Sequence, residues 1–387
     1  MPVDRGKGRP GHPEFLARYD QSSNVRGDHP LNLISASLSM NAYMITHEQK
    51  YRDWILDYVG AWRDRVIAND GNIPSNIGLD GRIGGEWNGQ WYDGVFGWNY
   101  TVDVKDERGV SRNFTRDYVM RGPRIAFGEA FLLTGDVSFL EPLRRQISNL
   151  YSARREMDGR VLLPRHQGPD GWFGFSEDRR EYLPIQADLF LYSSGLADPE
   201  FLPREGWLAY LSGQDPDYPE RALRSELEFV RQRVQAMRSD TSTPDTRRSD
   251  TPQKYSPIPT GTLVNLALGG NDPGFRGNIL HSRLRYFDPV LRRPGLPNDV
   301  AALVEKLDDE VVVVTLVNTN LLDDRRVTVQ AGACGEHRVE SVEIQGKTVP
   351  VGAACFDVRL AGGAGGKLKL HLRRYTAHPT LTPPWDR

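Results

Sequence analysis

Two kinds of hydrophobic periodicity divide this 387-residue chain into two parts, and they limit the folds that it can adopt. In the first part apolar residues recur at helical spacing, as in Leu31, Ile34 and Leu38. In the second part β-branched residues alternate with polar ones between Gly, Asn and Asp turns, as in EVVVVTLVNTN and KLKLHLRRY. The sequence therefore predicts a helical domain over residues 1–271, followed by an antiparallel β-sandwich over residues 272–387.

Within residues 1–271 one pattern recurs, in which two amphipathic helices and a tight turn are followed by a long loop. The helix pairs are LNLISASLSMNAYMI with YRDWILDYVGAWRDRVI, FTRDYVMRGPRIAFGEAFLLTGD with VSFLEPLRRQISNLYSARREM, and LPIQADLFLYSSG with PREGWLAYLSG. A long amphipathic helix, PERALRSELEFVRQRVQAMRSD, and a short one, TGTLVNLALGG, follow. Paired helices whose loops share one rim predict an (α/α) toroid in which those loops form a cleft.

The loop from Asp80 to Tyr100, DGRIGGEWNGQWYDGVFGWNY, combines tryptophans, glycines and carboxylates. Glycines allow sharp turns and close approach to a ligand, and aromatic faces beside carboxylates suit a sugar ring. A second loop, DGRVLLPRHQGPDGWFGFSEDRREY, has the same character. The alternative is a glycine-rich connector whose tryptophans fill the core beneath it. The aromatic residues predicted to bind substrate are Trp87, Trp91, Tyr92, Trp98 and Trp172.

A helical toroid followed by a β-sandwich resembles the six-hairpin glycoside hydrolases and the toroid-plus-sandwich polysaccharide lyases. The segments that carry the resemblance are GGEWNGQWYDGVFGWNY, FLLTGDVSFLEPLRRQI, HQGPDGWFGF and VVVTLVNTN. It implies a carbohydrate-active enzyme that hydrolyses a polysaccharide or oligosaccharide, with β-glucuronidase-like cleavage beside a uronic acid as one form. Six hairpins need twelve helices and the sequence predicts roughly eight, so we expect an incomplete toroid or an N-terminally truncated member.

Glycoside hydrolysis needs two carboxyl groups across the scissile bond, one protonated and one ionised. Glu86 and Asp93 are the predicted pair, with Asp80 as a third candidate. A carboxyl group held against tryptophan has a raised pKa, which a general acid requires. The same acids could instead bind sugar hydroxyls or cap loop amides. Glu129 and Asp188 lie among apolar helix neighbours and are predicted to be hydrogen-bonded structural residues.

Elimination from a uronic acid is the alternative activity, and it needs a base and a group that neutralises the carboxylate. His166 is the predicted catalytic histidine, and a loop hydrogen bond is its alternative role. In the related lyases an Asn, a His and a Tyr do this work, but no spacing in this chain assigns those roles. The further candidates are Asn24, His29, Asn32, Tyr92 and Tyr182.

Arginines near the predicted cleft suit a uronate, because a guanidinium can bind a carboxylate through two hydrogen bonds. Arg82, Arg124 and Arg165 are predicted to bind substrate in this way, and Arg121 is a neighbouring candidate. Arginine is abundant in this chain, so solvated side chains and pairs with helix acids are the alternative.

The composition argues against several classes of function. A net charge of −2 gives no basis for binding nucleic acid or an anionic membrane, and no apolar run is long enough to span a bilayer. The 8 histidines and 2 cysteines show no metal-ligand spacing, so neither a metal nor another cofactor is expected. Cys334 and Cys355 are predicted to be free thiols.

The first residues, MPVDRGKGRPGHPEF, lack the apolar segment of a secretory leader, so the sequence as written predicts a cytoplasmic protein. A truncated start would fit a periplasmic or secreted protein instead. The third functional hypothesis is a non-catalytic glycan-binding protein or an inactive fragment. The sugar, the linkage and the oligomeric state are left open by the sequence.

Overall fold

A computed structural model describes residues 26–94, 96–101, 104–105, 111–112, 114–178, 180–194, 206–243, 245–246, 256, 258–271 and 278–387. For residues 104–105, 111–112 and 114–117 only the backbone is described. None of the helices in these ranges has the length and apolar character that crossing a membrane requires. The predicted domain boundary after residue 271 adjoins residues 272–277, which lie outside the described residues, so that boundary stays a prediction.

The described residues contain eight α-helices, and all eight precede the strands of the two largest sheets in the sequence. Their bounds are Ala36–Thr46, Gln49–Ala68, Phe114–Thr134, Glu141–Ser152, Leu183–Ser193, Trp207–Leu211, Tyr218–Ser239 and Gly261–Leu263. The last continues as a π-helix over Val264–Leu268. Pro123 lies inside the third helix.

The prediction of an (α/α) toroid is wrong, because the described residues form no closed ring of paired helices. Two of the predicted helices are only five and three residues long, too short for full members of a ring. The second glycine-rich segment also forms strands where a loop was expected. These are Arg160–Leu163, His166–Gly168, Gly171–Phe173 and Ser176–Glu177, and a further strand, Arg155–Met157, lies where the end of a helix was expected.

The chain consists of two compact units. Unit 1 contains residues 1–40, 50–130 and 136–182, and unit 2 contains residues 41–49, 131–135 and 183–387. In unit 1, within the segment TVDVKDERGVSRNFT, Val104–Lys105 pairs antiparallel to Ser111–Arg112.

The core of unit 1 includes one face of the helix Gln49–Ala68. Ile55, Val59, Trp62 and Val66 are fully buried, and their spacing of four, three and four residues is that of a single helix face. Trp54, next to Ile55 on the same helix, has an exposed side chain.

Near the start of the described chain, Asp28 organises several side chains of unit 1. Its carboxylate accepts hydrogen bonds from the Tyr58 hydroxyl at 2.9 Å, the Trp62 indole at 2.8 Å and the Asn32 amide at 2.9 Å. Burial and the adjacent Asp28 raise the pKa of Tyr58 well above its ordinary value. This hydroxyl is therefore a hydrogen-bond donor at neutral pH and is not prepared to act as a base.

Unit 2 contains a five-stranded and a four-stranded antiparallel sheet. The first has the spatial order Val300–Leu307, Val311–Asn318, Gly365–Arg373, Arg338–Ile344, Lys347–Ala353. The second has the order Cys355–Leu360, Arg325–Ala331, Leu284–Asp288, Arg293–Pro294. Alternate residues of Val311–Asn318 are buried, as expected for a strand with one face on a core. Both cysteines are free thiols, as predicted.

Two buried arginines of unit 2 bind the C-terminal end of the helix Leu183–Ser193. Arg283 donates to the carbonyl oxygen of Leu191 at 2.7 Å, and Arg374 donates to that of Tyr192. Both guanidinium groups also donate to the Ser194 hydroxyl. Cations at a helix C-terminus bind its unpaired carbonyls and oppose the negative end of its dipole, so both arginines stabilise this helix.

A small polar cavity in unit 2 lies beside these groups and has a volume of about 10 Å³, which is room for one water molecule. Arg283, Glu336, His337 and Tyr375 are among the residues that line it. The Glu336 carboxylate is buried and accepts a hydrogen bond from the backbone N–H of Cys334 at 2.8 Å. Burial raises the pKa of Glu336 to about 7.

The raised pKa of Glu336 predicts a measurable dependence of stability on pH. The folded state holds this proton more tightly than the unfolded state, so stability is lost as pH rises from about 4.5 through about 7. The side chain in Glu336→Gln stays neutral at both pH values. The free energy of unfolding of this variant minus that of wild type should therefore be about 2 to 4 kcal/mol larger at pH 8 than at pH 4.5. Urea titrations at both pH values measure this difference, and a constant difference would contradict the assignment.

Candidate functional site

The two glycine-rich segments singled out in the sequence meet in unit 1 through their tryptophans. Trp91 and Trp98 both contact Trp172 edge to face, with ring centroids 6.1 Å and 5.2 Å away. Tyr92 lies edge to face with Trp91 at 5.7 Å. We call Trp91, Tyr92, Trp98 and Trp172 the tryptophan cluster. Residues more than seventy positions apart thus pack into one aromatic cluster.

Hydrogen bonds between the Ser75 hydroxyl and the backbone hold the first segment in place. The Ser75 hydroxyl donates to the carbonyl oxygen of Tyr92 at 3.0 Å and accepts from the N–H of Trp98 at 2.9 Å. A Cβ atom at Gly97 would lie 2.7 Å from the Ser75 oxygen, so the close approach requires glycine. The second segment joins through the Gln167 N–H, which donates to the Trp98 carbonyl at 3.1 Å.

The members of the tryptophan cluster differ in their access to solvent. Trp98 is fully buried, and its indole N–H donates to the carbonyl oxygen of Ile73 at 2.9 Å. Tyr92 is also buried, whereas Trp91 and Trp172 are partly exposed. Trp91 and Trp172 can therefore contact a ligand, while Trp98 supports Trp172 from the protein interior.

The predicted carboxylates lie in different surroundings. Asp93 is partly buried and accepts a hydrogen bond from the Asn99 amide, and burial raises the pKa of its carboxyl group. Glu86 is also partly buried and accepts from the backbone N–H of Leu79 at 3.2 Å. At the exposed pair Asp80 and Arg82, hydrogen bonds from the Arg82 backbone and guanidinium hold the pKa of Asp80 below its usual range.

Two of the three predicted arginines already face carboxylates of the protein. Arg82 pairs with Asp80 and its side chain is largely exposed. Arg165 donates to the Ser176 hydroxyl, and its guanidinium lies 3.4 Å from a carboxylate oxygen of Glu181. The third, Arg124, is partly buried within the helix Phe114–Thr134.

Two histidines of unit 1 contact backbone carbonyl groups through the same ring nitrogen. Nδ1 of His166 lies 3.3 Å from the Trp98 carbonyl oxygen, and Nδ1 of His29 lies 3.3 Å from that of Ser75. When Nδ1 carries the proton and donates to a carbonyl, Nε2 of a neutral imidazole is left as an acceptor.

Several buried polar atoms around the tryptophan cluster have no hydrogen-bond partner among the described residues. Of the residues that carry these atoms, only Trp87 was predicted from the sequence as a site residue. Asn76 is fully buried, and Gly94 lies beside it and the Trp87 indole. Asn76 lies between two isoleucines in the segment NIPSNIG, and this position was the available sequence signal that its polar side chain is buried. Such atoms are expected to bind water or a ligand. They are Asn76 Oδ1, Trp87 Nε1, Asn99 Oδ1 and Gln167 Oε1.

A comparison with known protein families matches residues 11–183 and 202–264 to a domain of unknown function, DUF8034. The chain belongs to this family. No curated protein matches it, and no solved structure does. The DUF8034 match includes both segments of the tryptophan cluster and ends before the strands of the two largest sheets.

The remaining candidates of this DUF8034 chain are placed as follows. Glu129 is buried and accepts a hydrogen bond from the Ser37 hydroxyl at 2.9 Å, and Asp188 is buried and accepts from the Asn271 amide at 2.6 Å. Tyr182 is buried, and Asn24 lies outside the described residues. Among the residues that the structure describes, no group of three or more His, Cys, Asp or Glu side chains could hold a metal ion.

Proposed function

We propose that this DUF8034 protein binds a glycan against Trp91 and Trp172 and hydrolyses one of its glycosidic bonds. The observation that carries the proposal is the convergence of two partly exposed indoles from distant segments, with a carboxyl group of raised pKa two residues after Trp91. Indole faces bury the C–H face of a sugar, and nearby polar groups fix its orientation.

In this proposal Asp93 is the general acid and Glu86 is the ionised carboxylate. Partial burial favours the protonated form of Asp93, which the acid needs when it protonates the leaving oxygen. Glu86 accepts a hydrogen bond from the Leu79 N–H. The two carboxylates are thus held by different donors, a side-chain amide for Asp93 and a backbone N–H for Glu86.

Glycan binding without catalysis is the second candidate, and one observation favours it. Both carboxylates already accept hydrogen bonds within their own loop, Glu86 from Leu79 and Asp93 from Asn99. In this candidate the two carboxylates hold the loop that presents Trp91, and they take no part in catalysis. Turnover separates the two candidates, because a binding protein releases its glycan unchanged.

The test is a screen of oligosaccharides with three measurements: tryptophan fluorescence for binding, reducing ends for hydrolysis and near-ultraviolet absorbance for elimination. We expect binding with new reducing ends and no unsaturated product. Binding without turnover would select the second candidate, and an absorbing product would select elimination. A chain that binds no glycan in the screen overturns the proposal.

Replacing Trp172 by alanine should weaken binding of a responding glycan about fivefold or more, because a stacked indole at the centre of a site contributes more than about 1 kcal/mol. Isothermal calorimetry measures the effect. The matched control is Trp54→Ala, which removes an exposed tryptophan from the helix Gln49–Ala68 and should leave affinity unchanged. Equal affinities for the Trp172 variant and wild type would count against stacking at this residue.

A further inference from the structure

The small polar cavity of unit 2 is lined by a buried cation, Arg283, which takes part in no ion pair of the described residues. Its Nη2 donates to the neutral oxygens of Leu191 and Ser194, at 2.7 Å and 2.6 Å. Its Nε is buried and has no hydrogen-bond partner in the described part of the chain. The neighbouring Arg374, in contrast, pairs with Asp309 at 2.5 Å. Burying a charge is costly unless it is paired, so Arg283 is expected to have a further partner.

Two other groups that line the cavity, His337 and Tyr375, each hold a proton that no acceptor among the described residues receives. Burial keeps the pKa of His337 well below its ordinary value, so the ring is neutral. The Tyr375 N–H donates to Nδ1 of this ring at 3.1 Å, which leaves the proton on Nε2. Nε2 lies 3.8 Å from Glu336, too far for a hydrogen bond. The Tyr375 hydroxyl accepts from Arg374 at 3.1 Å and keeps its own proton to donate.

Glu336 is the acidic residue that lines the cavity, and its carboxyl group is also held by the protein. One of its oxygens accepts from the backbone N–H of Cys334 at 2.8 Å. Burial raises the pKa of Glu336 to about 7, so at mildly acidic pH the group is protonated and uncharged. In that form it does not repel an anion, and its O–H is a further donor.

We propose that this cavity binds one halide ion, such as chloride, between Arg283, His337 and Tyr375. The cavity volume of about 10 Å³ has room for a single particle of the size of a water molecule, which excludes phosphate, sulfate and carboxylates. A water molecule fits by size, but it carries no charge to offset that of Arg283. A halide offsets this charge and accepts from all three donors. The site belongs to unit 2 and does not depend on the function proposed for unit 1.

The first test is the stability of the full chain in chloride. Sodium chloride replaces sodium gluconate at constant ionic strength, because gluconate is too large for the cavity. Urea unfolding is followed at a pH below the pKa of Glu336. Wild type should become more stable as chloride rises, along the curve of one ligand that binds only the folded state. A stability that is the same in chloride and in gluconate overturns the proposal.

The variant Tyr375→Phe removes one donor and keeps the ring that packs edge to face on His337, with centroids 4.7 Å apart. The same gain in stability should then need about tenfold more chloride, because hydrogen bonds to charged groups are strong. The matched control is Tyr210→Phe, which removes a hydroxyl of unit 2 that does not line the cavity. The control should respond to chloride like wild type. Equal responses of the two variants overturn the proposal.

Anomalous scattering from bromide tests the site without any variant. In crystals of the wild-type chain grown with sodium bromide, we expect a bromide peak in the cavity beside Arg283 and His337. A water molecule in the cavity in place of bromide overturns the proposal, and so does bromide bound only at the protein surface, as an adventitious ion only.

Discussion

Replacing Asp93 by asparagine is expected to lower the turnover of a responding glycan by about 10²–10⁴-fold and to leave its affinity nearly unchanged. Asparagine keeps the shape of the side chain and its place beside Asn99, but it has no proton to give to the leaving oxygen. Initial rates and calorimetry on the same preparation give both quantities. The control is Asp80→Asn, which changes an exposed carboxylate paired with Arg82 and should have little effect.

The pH profile gives a second measurement of the same assignment. Burial raises the pKa of Asp93, so activity that needs its proton should fall as pH rises through that pKa. The Asn99 amide donates to this carboxylate and favours its ionised form. Asn99→Ala should therefore move the alkaline limb to higher pH. An Asp93→Asn enzyme with wild-type turnover would exclude Asp93 as the acid.

Local patterns predicted the helices better than their arrangement. The amphipathic segment from Pro219 to Asp240 corresponds to the helix Tyr218–Ser239, because its apolar spacing is periodic over many residues. The prediction of a toroid required the additional assumption that helix pairs repeat until they close a ring. Nothing local encodes ring closure, and the chain instead forms the short strands between Arg155 and Glu177.

The sequence predicted which kinds of residue form the candidate site, but it did not predict how those residues are arranged. The aromatic and glycine content drew attention to both segments, yet it could not separate the buried Trp98 from the partly exposed Trp91. A glycine-rich loop has no periodicity from which burial can be inferred. The contact of Trp98 with Trp172 is set by tertiary packing, and Ser75 joins the site through backbone bonds that no motif records.

The largest stability effect is expected from Trp98→Ala, which should destabilise unit 1 by about 3–5 kcal/mol. The ring is fully buried against Trp172, and its removal leaves a cavity and an unpaired carbonyl at Ile73. Trp98→Phe keeps most of the ring and loses the indole N–H, so it should cost less. Since whole domains are stable by about 5–15 kcal/mol, the alanine variant loses a large fraction of that stability.

Chemical denaturation followed by circular dichroism measures these losses, with Trp54→Ala as the control. Trp54 stacks on Tyr58 at the surface, with ring centroids 5.0 Å apart, so its loss should cost less than about 1 kcal/mol. If Trp98→Ala and Trp54→Ala are equally mild, the first segment does not fold around Trp98. The surface formed by Trp91 and Trp172 would then lack its support, and the proposed glycan site would lose its structural basis.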